Sequence, residues 1–149
     1  MKNLKLFLMV YVMTFINLGC YAQNNDDDKQ AIAMLKHFYT IYNTEWATNQ
    51  SLNTRHVLDS LMNIYCTSSL ISKISEPNLD HDMLIKDLYT TVEYLNTITV
   101  TKDSTKIGAY IVSYNAPNED PQGREYIDKV IIHVTVVKEG ENYKIASVE

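Results

Sequence analysis

The hydrophobic and polar positions divide the chain into a helical first half and a strand-forming second half. Between Lys29 and about Asn49, apolar residues recur every three or four positions, which predicts a long amphipathic helix. Its apolar stripe consists of Ala31, Met34, Leu35, Phe38, Ile41, Tyr42 and Trp46. The same spacing predicts a second helix over Thr54–Cys66, and Thr67 or Ser68 can cap a short third helix.

A run of ligand-type residues, Asp80-His81-Asp82, follows the proline that ends the third helix. Side chains adjacent in sequence point apart, whereas zinc ligands usually converge from separate elements. We therefore interpret Asp80 or Asp82 as the cap of a further turn that ends near Leu88, and we predict no metal site. The sequence has no glycine-rich phosphate loop and no metalloprotease or serine-hydrolase motif, so no cofactor is predicted.

After Tyr89 the hydrophobic period shortens from about 3.6 to about 2 residues, which is the spacing of β-strands. Four strands are predicted, over Val92–Thr101, Ile107–Tyr114, Tyr126–Val137 and Tyr143–Val148. A loop is expected from Asn115 to Gly123, where turn-forming residues are frequent. Helices followed by an antiparallel meander of three to four strands predict an α+β domain.

The N-terminus has the order of a secretory signal peptide: basic residues, an apolar stretch of about a dozen residues, and then small residues. Cys20 and Ala22 occupy the positions that signal peptidase reads, so we favour cleavage between Ala22 and Gln23. The alternative is that Leu18-Gly19-Cys20 acts as a bacterial lipoprotein box and that Cys20 becomes lipidated. Both routes export the protein to the periplasm or out of the cell. Only the lipidated form would be held at a membrane, as an outer-membrane lipoprotein.

Export also defines the expected domain layout and charge. A signal peptide over residues 1–22 and a polar tether over residues 23–28 precede one domain over residues 29–149. The chain carries a net charge of −5, and removal of Lys2 and Lys5 with the signal peptide makes this charge −7. Such acidity argues against a nucleic-acid partner, because binding nucleic acid needs a basic face that displaces phosphate counterions.

Two motifs resemble a known group of proteins. Residues 38–46 contain Phe-Tyr-x-x-Tyr-x-x-x-Trp, and residues 138–145 read Lys-x-Gly-x-x-Tyr-Lys-Ile. With the order of the elements, they resemble the NTF2-like (cystatin-like) superfamily, and within it the small secreted bacterial proteins of the domain of unknown function DUF3828. The resemblance implies a cone in which a curved antiparallel sheet wraps around the long helix. Some relatives use a pocket at the open end for isomerase or dehydratase chemistry, and many only bind.

The residue types of such a pocket are present, but their spacing defines no catalytic site. The candidate pocket or core residues are Phe38, Tyr42, Trp46, Tyr94, Tyr110 and His133. Because tyrosines of this kind usually pack as core residues, we expect an exported non-catalytic binding protein for a protein partner or a small apolar ligand. The alternative is a small cone-pocket enzyme that uses an Asp/Tyr/His pocket, with Asp87 as a suitable carboxylate. Strand tyrosines would also suit a homodimer formed through the sheet.

Two kinds of side chain are candidates for covalent chemistry. Residues 59–61 and 103–105 read Asp-Ser-Leu and Asp-Ser-Thr, which resembles a short acceptor motif for O-glycosylation in some exporting bacteria. Ser104 lies in a predicted hairpin turn and is the more accessible candidate, whereas Ser60 lies within a helix. Cys66 has no basic neighbour in sequence to activate it, so we predict a buried thiol rather than a nucleophile.

Overall fold

A computed structural model describes the chain over residues 26–48, 52–76 and 82–149. The predicted signal peptide, with its cleavage site at Ala22 and Gln23 and the lipidation site at Cys20, lies outside these residues. No helix in the described ranges is long and apolar enough to cross a membrane.

The chain divides into two compact units, Met1–Gln30 and Ala31–Glu149. The chain is helical over residues 26–48, and α1 denotes residues 31–48 of this helix, in the second unit. Its fully buried positions repeat every three or four residues, and they are Ala31, Leu35, Phe38, Tyr39, Tyr42 and Asn43. The predicted stripe is thus confirmed at its centre, whereas Trp46 at its end is only half-buried.

Two further helices follow, α2 over Leu52–Tyr65 and α3 over Ser68–Ile74. Thr67 caps α3 as predicted, because its Oγ1 accepts a hydrogen bond of 3.2 Å from the N–H of Leu70. Between the helices, Cys66 forms a parallel bridge with Ile145, and the N–H of Thr67 donates to the carbonyl of Ile145 at 2.9 Å. This junction fixes both helices to the last strand of the sheet.

Four antiparallel strands form one sheet in the order β1-β2-β3-β4. They are β1 (Thr99–Lys102), β2 (Ala109–Glu119), β3 (Glu125–Glu139) and β4 (Asn142–Val148). On its inner face, Val112 lies opposite Ile132 and Tyr114 opposite Val130, and all four pack in one core with the helices. The predicted α+β class is therefore confirmed, with helices packed against a four-stranded antiparallel sheet.

The first predicted strand is wrong in its first half. Residues Val92–Thr97 form a 3₁₀ helix, and β1 begins only at Thr99. The Thr97 hydroxyl donates a hydrogen bond of 2.6 Å to the carbonyl of Tyr94, and such local bonds of threonine compete with a strand ladder. Tyr94 consequently occupies a half-buried position in a helical turn and not a position on the sheet.

Strand β2 is longer than predicted, because it continues through the expected loop at Asn115 and ends at Glu119. Asparagine and proline in this stretch are typical of loops, which explains the prediction. Proline is nevertheless tolerated on a strand edge, where no ladder hydrogen bond needs its missing N–H. Since β1 pairs only with Tyr110–Ser113, the remainder of β2 is such an edge.

Side chains satisfy the edge of β2 that β1 leaves uncovered. The N–H of Asn115 donates to Thr97 Oγ1 at 2.9 Å, and its carbonyl accepts from the Thr90 hydroxyl at 2.5 Å. Pro117, two residues further and therefore oriented the same way, has no N–H. The N–H of Glu119 donates to the side-chain carbonyl of the preceding residue at 2.8 Å.

Candidate functional site

Asp82 begins an irregular segment, Asp82–Thr90, which we call the strap. The Tyr42 hydroxyl of α1 donates a hydrogen bond of 2.8 Å to Asp82 Oδ2. The N–H of Leu84 donates to Asp82 Oδ1 at 2.9 Å, so Asp82 caps this turn, as the sequence predicts. The contact with Tyr42 joins residues 40 positions apart and has no signal in the sequence.

Burial raises the pKa of Asp82 above its usual value, because the charged carboxylate loses solvation inside the domain. The hydrogen bonds from Tyr42 and Leu84 favour the charged form and offset part of this effect, whereas the like charge of Asp87 adds to it. The indole N–H of Trp46 faces the same carboxylate and also favours its charged form, although it does not reach hydrogen-bond geometry. Desolvation is the largest of these effects.

Two further hydrogen bonds fasten the strap to the sheet and to α1. The Tyr114 hydroxyl of β2 donates to the carbonyl of Leu88 at 2.8 Å. At the end of the strap, the N–H of Thr90 donates to Asn43 Oδ1 at 2.9 Å. Between these points, the ring of Tyr89 stacks on that of Trp46, with centroids 6.1 Å apart and an interplanar angle of 17°. Side-chain contacts therefore hold the strap at both ends and in the middle.

Two buried aromatic donors face the strap without a hydrogen-bond partner among the described residues. They are the hydroxyl of Tyr39 and the indole N–H of Trp46. Burial raises the pKa of Tyr39, and the nearby Tyr114 and Asp82 act in the same direction, so this hydroxyl stays neutral. A buried donor without a partner costs stability, because it has lost its hydrogen bonds to water. We call Tyr39, Tyr42, Trp46, Asp82 and Tyr114 the interior cluster.

The six candidate pocket residues of the sequence do not converge on one site. Phe38, Tyr42 and Tyr110 are buried, Trp46 and Tyr94 are half-buried, and His133 is exposed. Only Tyr42 and Trp46 belong to the interior cluster, where they meet Asp82. Asp87, the carboxylate considered for an enzyme, is exposed and accepts a hydrogen bond from the N–H of Asp82. Asp82, and not Asp87, is therefore the carboxylate that lies in the interior beside Tyr42 and Trp46.

The described part of the chain bears on metal binding and on thiol reactivity. No group of three or more His, Cys, Asp or Glu side chains there can hold a metal ion, and Asp80 and His81 lie outside it. Cys66 is buried, and burial raises its pKa to about 12. A thiol with so high a pKa stays in its neutral form near neutral pH.

The outer face of the sheet carries an apolar strip. Ile127 and Ile131 of β3 are 48% and 44% exposed. Ile111 of β2 lies diagonally across from Ile131, because it pairs with His133. Lys129 and His133 alternate with the two exposed isoleucines along β3. We call Ile111, Ile127 and Ile131 the outer strip.

The two serine candidates differ in their surroundings. Ser104 is exposed in the turn between β1 and β2, where Asp103 Oδ1 accepts hydrogen bonds from the N–H and the hydroxyl of Thr105, at 2.9 and 2.6 Å. Ser60 is exposed on α2, but its hydroxyl donates to the carbonyl of His56 at 2.8 Å. Ser104 therefore has the freer hydroxyl of the two.

A small cavity of about 50 Å³ opens beside the same turn. It is lined by Asp103, Lys106, Ala109, His133, Val134, Thr135 and Glu149. This volume accommodates a few water molecules and is far below the roughly 300–1,000 Å³ of a typical organic-ligand site.

Comparison with known proteins supports the fold and gives no information on chemistry. No protein-family model and no curated protein matches the chain. Its structure is similar to a crystal structure of a protein of unknown function from Bacteroides thetaiotaomicron VPI-5482, with a TM-score of 0.75. The similarity covers 89% of this chain and 98% of that chain at 22% sequence identity. At this identity the two proteins share the α+β fold, and no function is transferred from one to the other.

Proposed function

We propose that this protein is an exported, non-catalytic binding protein that holds a protein partner on the outer face of its sheet. The observation that carries the proposal is the outer strip, in which Ile127 and Ile131 are both about half exposed on one face of β3. Interfaces of this kind combine an apolar centre with a polar rim, and the strip has Lys129 and His133 beside it.

The filled interior supports binding on the outside. Phe38, Tyr39 and Tyr114 are at most 1% exposed and pack between α1 and the inner face of the sheet. These large aromatic side chains pack against the inner face of the sheet as part of the core. In the part of the chain that the structure describes, the outer face is therefore the side of the sheet left to meet a partner.

The charge of the strip indicates the chemistry of the partner. The chain as a whole is acidic, with a net charge of −5, whereas Lys129 places a positive charge between the two exposed isoleucines. A partner surface with an apolar centre and acidic side chains around it would complement this face. A homodimer through the same face would bring like charges together, so we favour a different protein as the occupant.

Site-specific photo-crosslinking in the native host tests this proposal. A photo-reactive amino acid replaces Ile131 in one variant and Ser72, on the exposed side of α3, in the matched control. We expect a discrete adduct from position 131 only, followed by loss of binding to the purified partner in Ile131→Lys. Equal adduct patterns from both positions would overturn the proposal. An adduct of this chain with itself would replace the foreign partner with a homodimer, which sedimentation velocity would show independently.

A second candidate function, a small pocket enzyme, is favoured by the hydrogen bond between Tyr42 and Asp82. A desolvated carboxylate with a tyrosine donor is the pairing that isomerases and dehydratases of the NTF2-like type would use, with Asp82 as the base. Turnover of small carbonyl substrates by the wild type, lost in both Asp82→Asn and Tyr42→Phe, would establish it. Unchanged turnover in Asp82→Asn would exclude this carboxylate as the base.

Export itself is proposed from the signal-like N-terminus. The mature chain then begins at Gln23, and the intact mass of the protein from its host measures this directly. A mass that retains residues 1–22 would contradict export. A lipid adduct on Cys20 would replace plain cleavage with the lipoprotein route and would place the domain at a membrane surface.

A further inference from the structure

We propose that Ser104 is the acceptor of an O-linked glycan, which a transferase of the cell envelope attaches to the folded domain at the turn between β1 and β2. The proposal rests on the export proposed above, because nucleotide-activated sugars are confined to the cytoplasm. The donor outside it is therefore a sugar carried on a membrane-bound polyprenyl diphosphate. The proposal does not rest on partner binding by the outer strip.

Two serines of the chain follow an aspartate in the same short motif. Residues 59–61 read Asp-Ser-Leu and residues 103–105 read Asp-Ser-Thr, so both combine a carboxylate with a neighbouring hydroxyl. The motif alone does not choose between them. The choice comes from the structure, which gives the two serines different backbones and different hydrogen bonds.

The turn between β1 and β2 presents Ser104 on a projecting tip. Residues 104–107 are all exposed. Beneath them the base of the turn is fixed to the sheet, since the N–H of Asp103 donates to the carbonyl of Ala109 and the N–H of Val136 donates to that of Gly108, both at 2.8 Å. A glycan is bulky and needs a surface position, and a transferase can reach this tip without opening the sheet.

Within the turn, Ser104 has the available hydroxyl. Asp103 Oδ1 accepts hydrogen bonds from both the N–H and the hydroxyl of Thr105, at 2.9 and 2.6 Å, so the neighbouring hydroxyl is engaged. The hydroxyl of Ser104 makes no hydrogen bond to any described residue. The bonds from Thr105 also lower the pKa of Asp103, which keeps this carboxylate charged beside the acceptor.

Ser60 shows what the same motif lacks when it lies in a helix. Its side chain is exposed, but its hydroxyl donates to the carbonyl of His56 at 2.8 Å. It also lies well inside α2, which runs over Leu52–Tyr65. A transferase that binds its acceptor as an extended segment would have to unwind this helix and break its backbone hydrogen bonds. The structure therefore favours Ser104 over Ser60.

The transfer joins the serine oxygen to the sugar. Ser104 Oγ attacks the anomeric carbon of the donor and forms a new C–O bond there. The bond between that carbon and the diphosphate oxygen breaks, and the polyprenyl diphosphate leaves with the bonding electron pair. The hydroxyl proton passes to a base of the transferase. No group is oxidised or reduced, so the donor is the only co-reactant.

The glycan would leave the far end of the outer strip accessible. Ala109, next to the turn, pairs with Thr135 of β3. Ile127 lies eight residues from Thr135 along the same strand, which is about 27 Å of extended chain. Glycosylation at the turn and a partner at the Ile127 end of the strip are therefore compatible.

Mass spectrometry of the protein purified from its native host tests the proposal. Trypsin cuts after Lys102 and Lys106 and releases residues 103–106, whereas Ser60 lies in the peptide over residues 56–73. Electron-transfer fragmentation then assigns a sugar to Ser104 or to Thr105. We expect a glycan on Ser104 and none on Ser60, in a chain that no longer carries residues 1–22.

Matched alanine variants complete the test. Ser104→Ala should lose the added mass completely, while its circular dichroism matches that of the unglycosylated wild type made in a host without the transferase. Ser60→Ala, in the same motif, should keep the added mass. An added mass that persists in Ser104→Ala, or a sugar found on Thr105 or Ser60 in its place, would overturn the proposal. An exported chain with unmodified residues 103–106 would overturn it and leave export intact, whereas an unmodified chain that retains residues 1–22 would contradict both.

Discussion

Asn43 of α1 and Thr90 at the end of the strap are joined by a buried hydrogen bond, in which the Thr90 N–H donates to Asn43 Oδ1 at 2.9 Å. The same amide donates through Nδ2 to the carbonyl of Tyr39 at 2.9 Å. Both ends of a fully buried polar side chain are therefore satisfied, and the chain that enters the sheet is tied to the helix beneath it. Asn43 therefore fixes the end of the strap at Thr90 to α1.

We expect Asn43→Leu to destabilise the domain by about 1–3 kcal/mol, because the N–H of Thr90 would be left buried without an acceptor. Asn63→Leu is the matched control, since Asn63 makes the same local bond, to the carbonyl of Asp59 at 2.9 Å, on the exposed side of α2. Urea unfolding of both variants measures the difference. Equal losses of unfolding free energy would show that the bond to Thr90 adds nothing.

Truncation of the aromatic residues of α1 should lower the free energy of unfolding by different amounts. Phe38 is 0% exposed and contacts Tyr42 at a ring-centroid distance of 5.2 Å, so Phe38→Ala should cost about 3–5 kcal/mol. Trp46 is half-buried at the end of α1, and its indole N–H has no hydrogen-bond partner among the described residues, so Trp46→Ala should cost clearly less. Thermal and urea unfolding of the two variants provides the comparison. A larger loss for Trp46→Ala would show that the stack with Tyr89 matters more than core burial.

Stability should respond to pH in opposite directions at two aspartates. Because the pKa of Asp82 is raised in the folded state, folding binds a proton, and its contribution is lost as pH rises from the usual carboxylate value through the raised one. Asp82→Asn should therefore raise the melting temperature at neutral pH and leave it unchanged in acid. Hydrogen bonds from Thr105 lower the pKa of Asp103, so its contribution is present near neutrality and is lost as pH falls.

Calorimetric melting curves of Asp82→Asn, Asp103→Asn and the wild type, recorded from acid to neutral pH, separate the two effects. The Asp103 effect should be small, because that carboxylate is exposed and screened by solvent. A fall in the neutral-pH melting temperature of Asp82→Asn would contradict the prediction, because it would show that the hydrogen bond from Tyr42 outweighs the cost of desolvation.

Gly108 and Gly140 form a natural pair for separating backbone strain from steric conflict. Their φ values are 71° and 63°, so alanine is strained at both, at a cost of about 1–2 kcal/mol. At Gly108 an added Cβ would also lie 2.8 Å from the carbonyl oxygen of Val136, whereas at Gly140 nothing lies within 4 Å. Gly108→Ala should therefore lose more unfolding free energy than Gly140→Ala. Equal losses of unfolding free energy would show that the backbone at Val136 moves to accommodate the added Cβ.

The fold class and most of the elements could be predicted because they depend on local periodicity. The spacing of Phe38 and Tyr42 gave α1, and the alternation over Val130 to Val136 gave β3. The error at Val92–Thr97 arose because the Thr97 hydroxyl donates a hydrogen bond within its own helical turn. The error after Asn115 arose because side chains, and not a neighbouring strand, bond to the backbone of β2 there. The first error reflects a local hydrogen bond that competes with a strand, whereas the second depends on contacts with residues distant in sequence.

The interior cluster could not be predicted from spacing for the same reason. Asp82 was correctly interpreted as a cap through Leu84, but its second oxygen meets Tyr42 from another element. Tyr39 was visible only as part of a motif, and the burial of its hydroxyl, which has no partner in the part of the chain that the structure describes, depends on how β2 packs against α1. A carboxylate that accepts a hydrogen bond from a residue nearby in sequence gives no sequence signal for a second donor that is distant in sequence.

The uncovered edge of β2 has a consequence for association between molecules. A bare strand edge is a template onto which another chain can add, and this is how many β-rich proteins begin to aggregate. Here the N–H and carbonyl of Asn115 are already engaged by Thr97 and Thr90, and Pro117 offers no donor. An incoming strand would have to displace two internal hydrogen bonds and would still meet a gap in the ladder. Beyond Ser113, β2 thus has no strand neighbour on this side among the described residues, and yet its edge is not open to polymerisation.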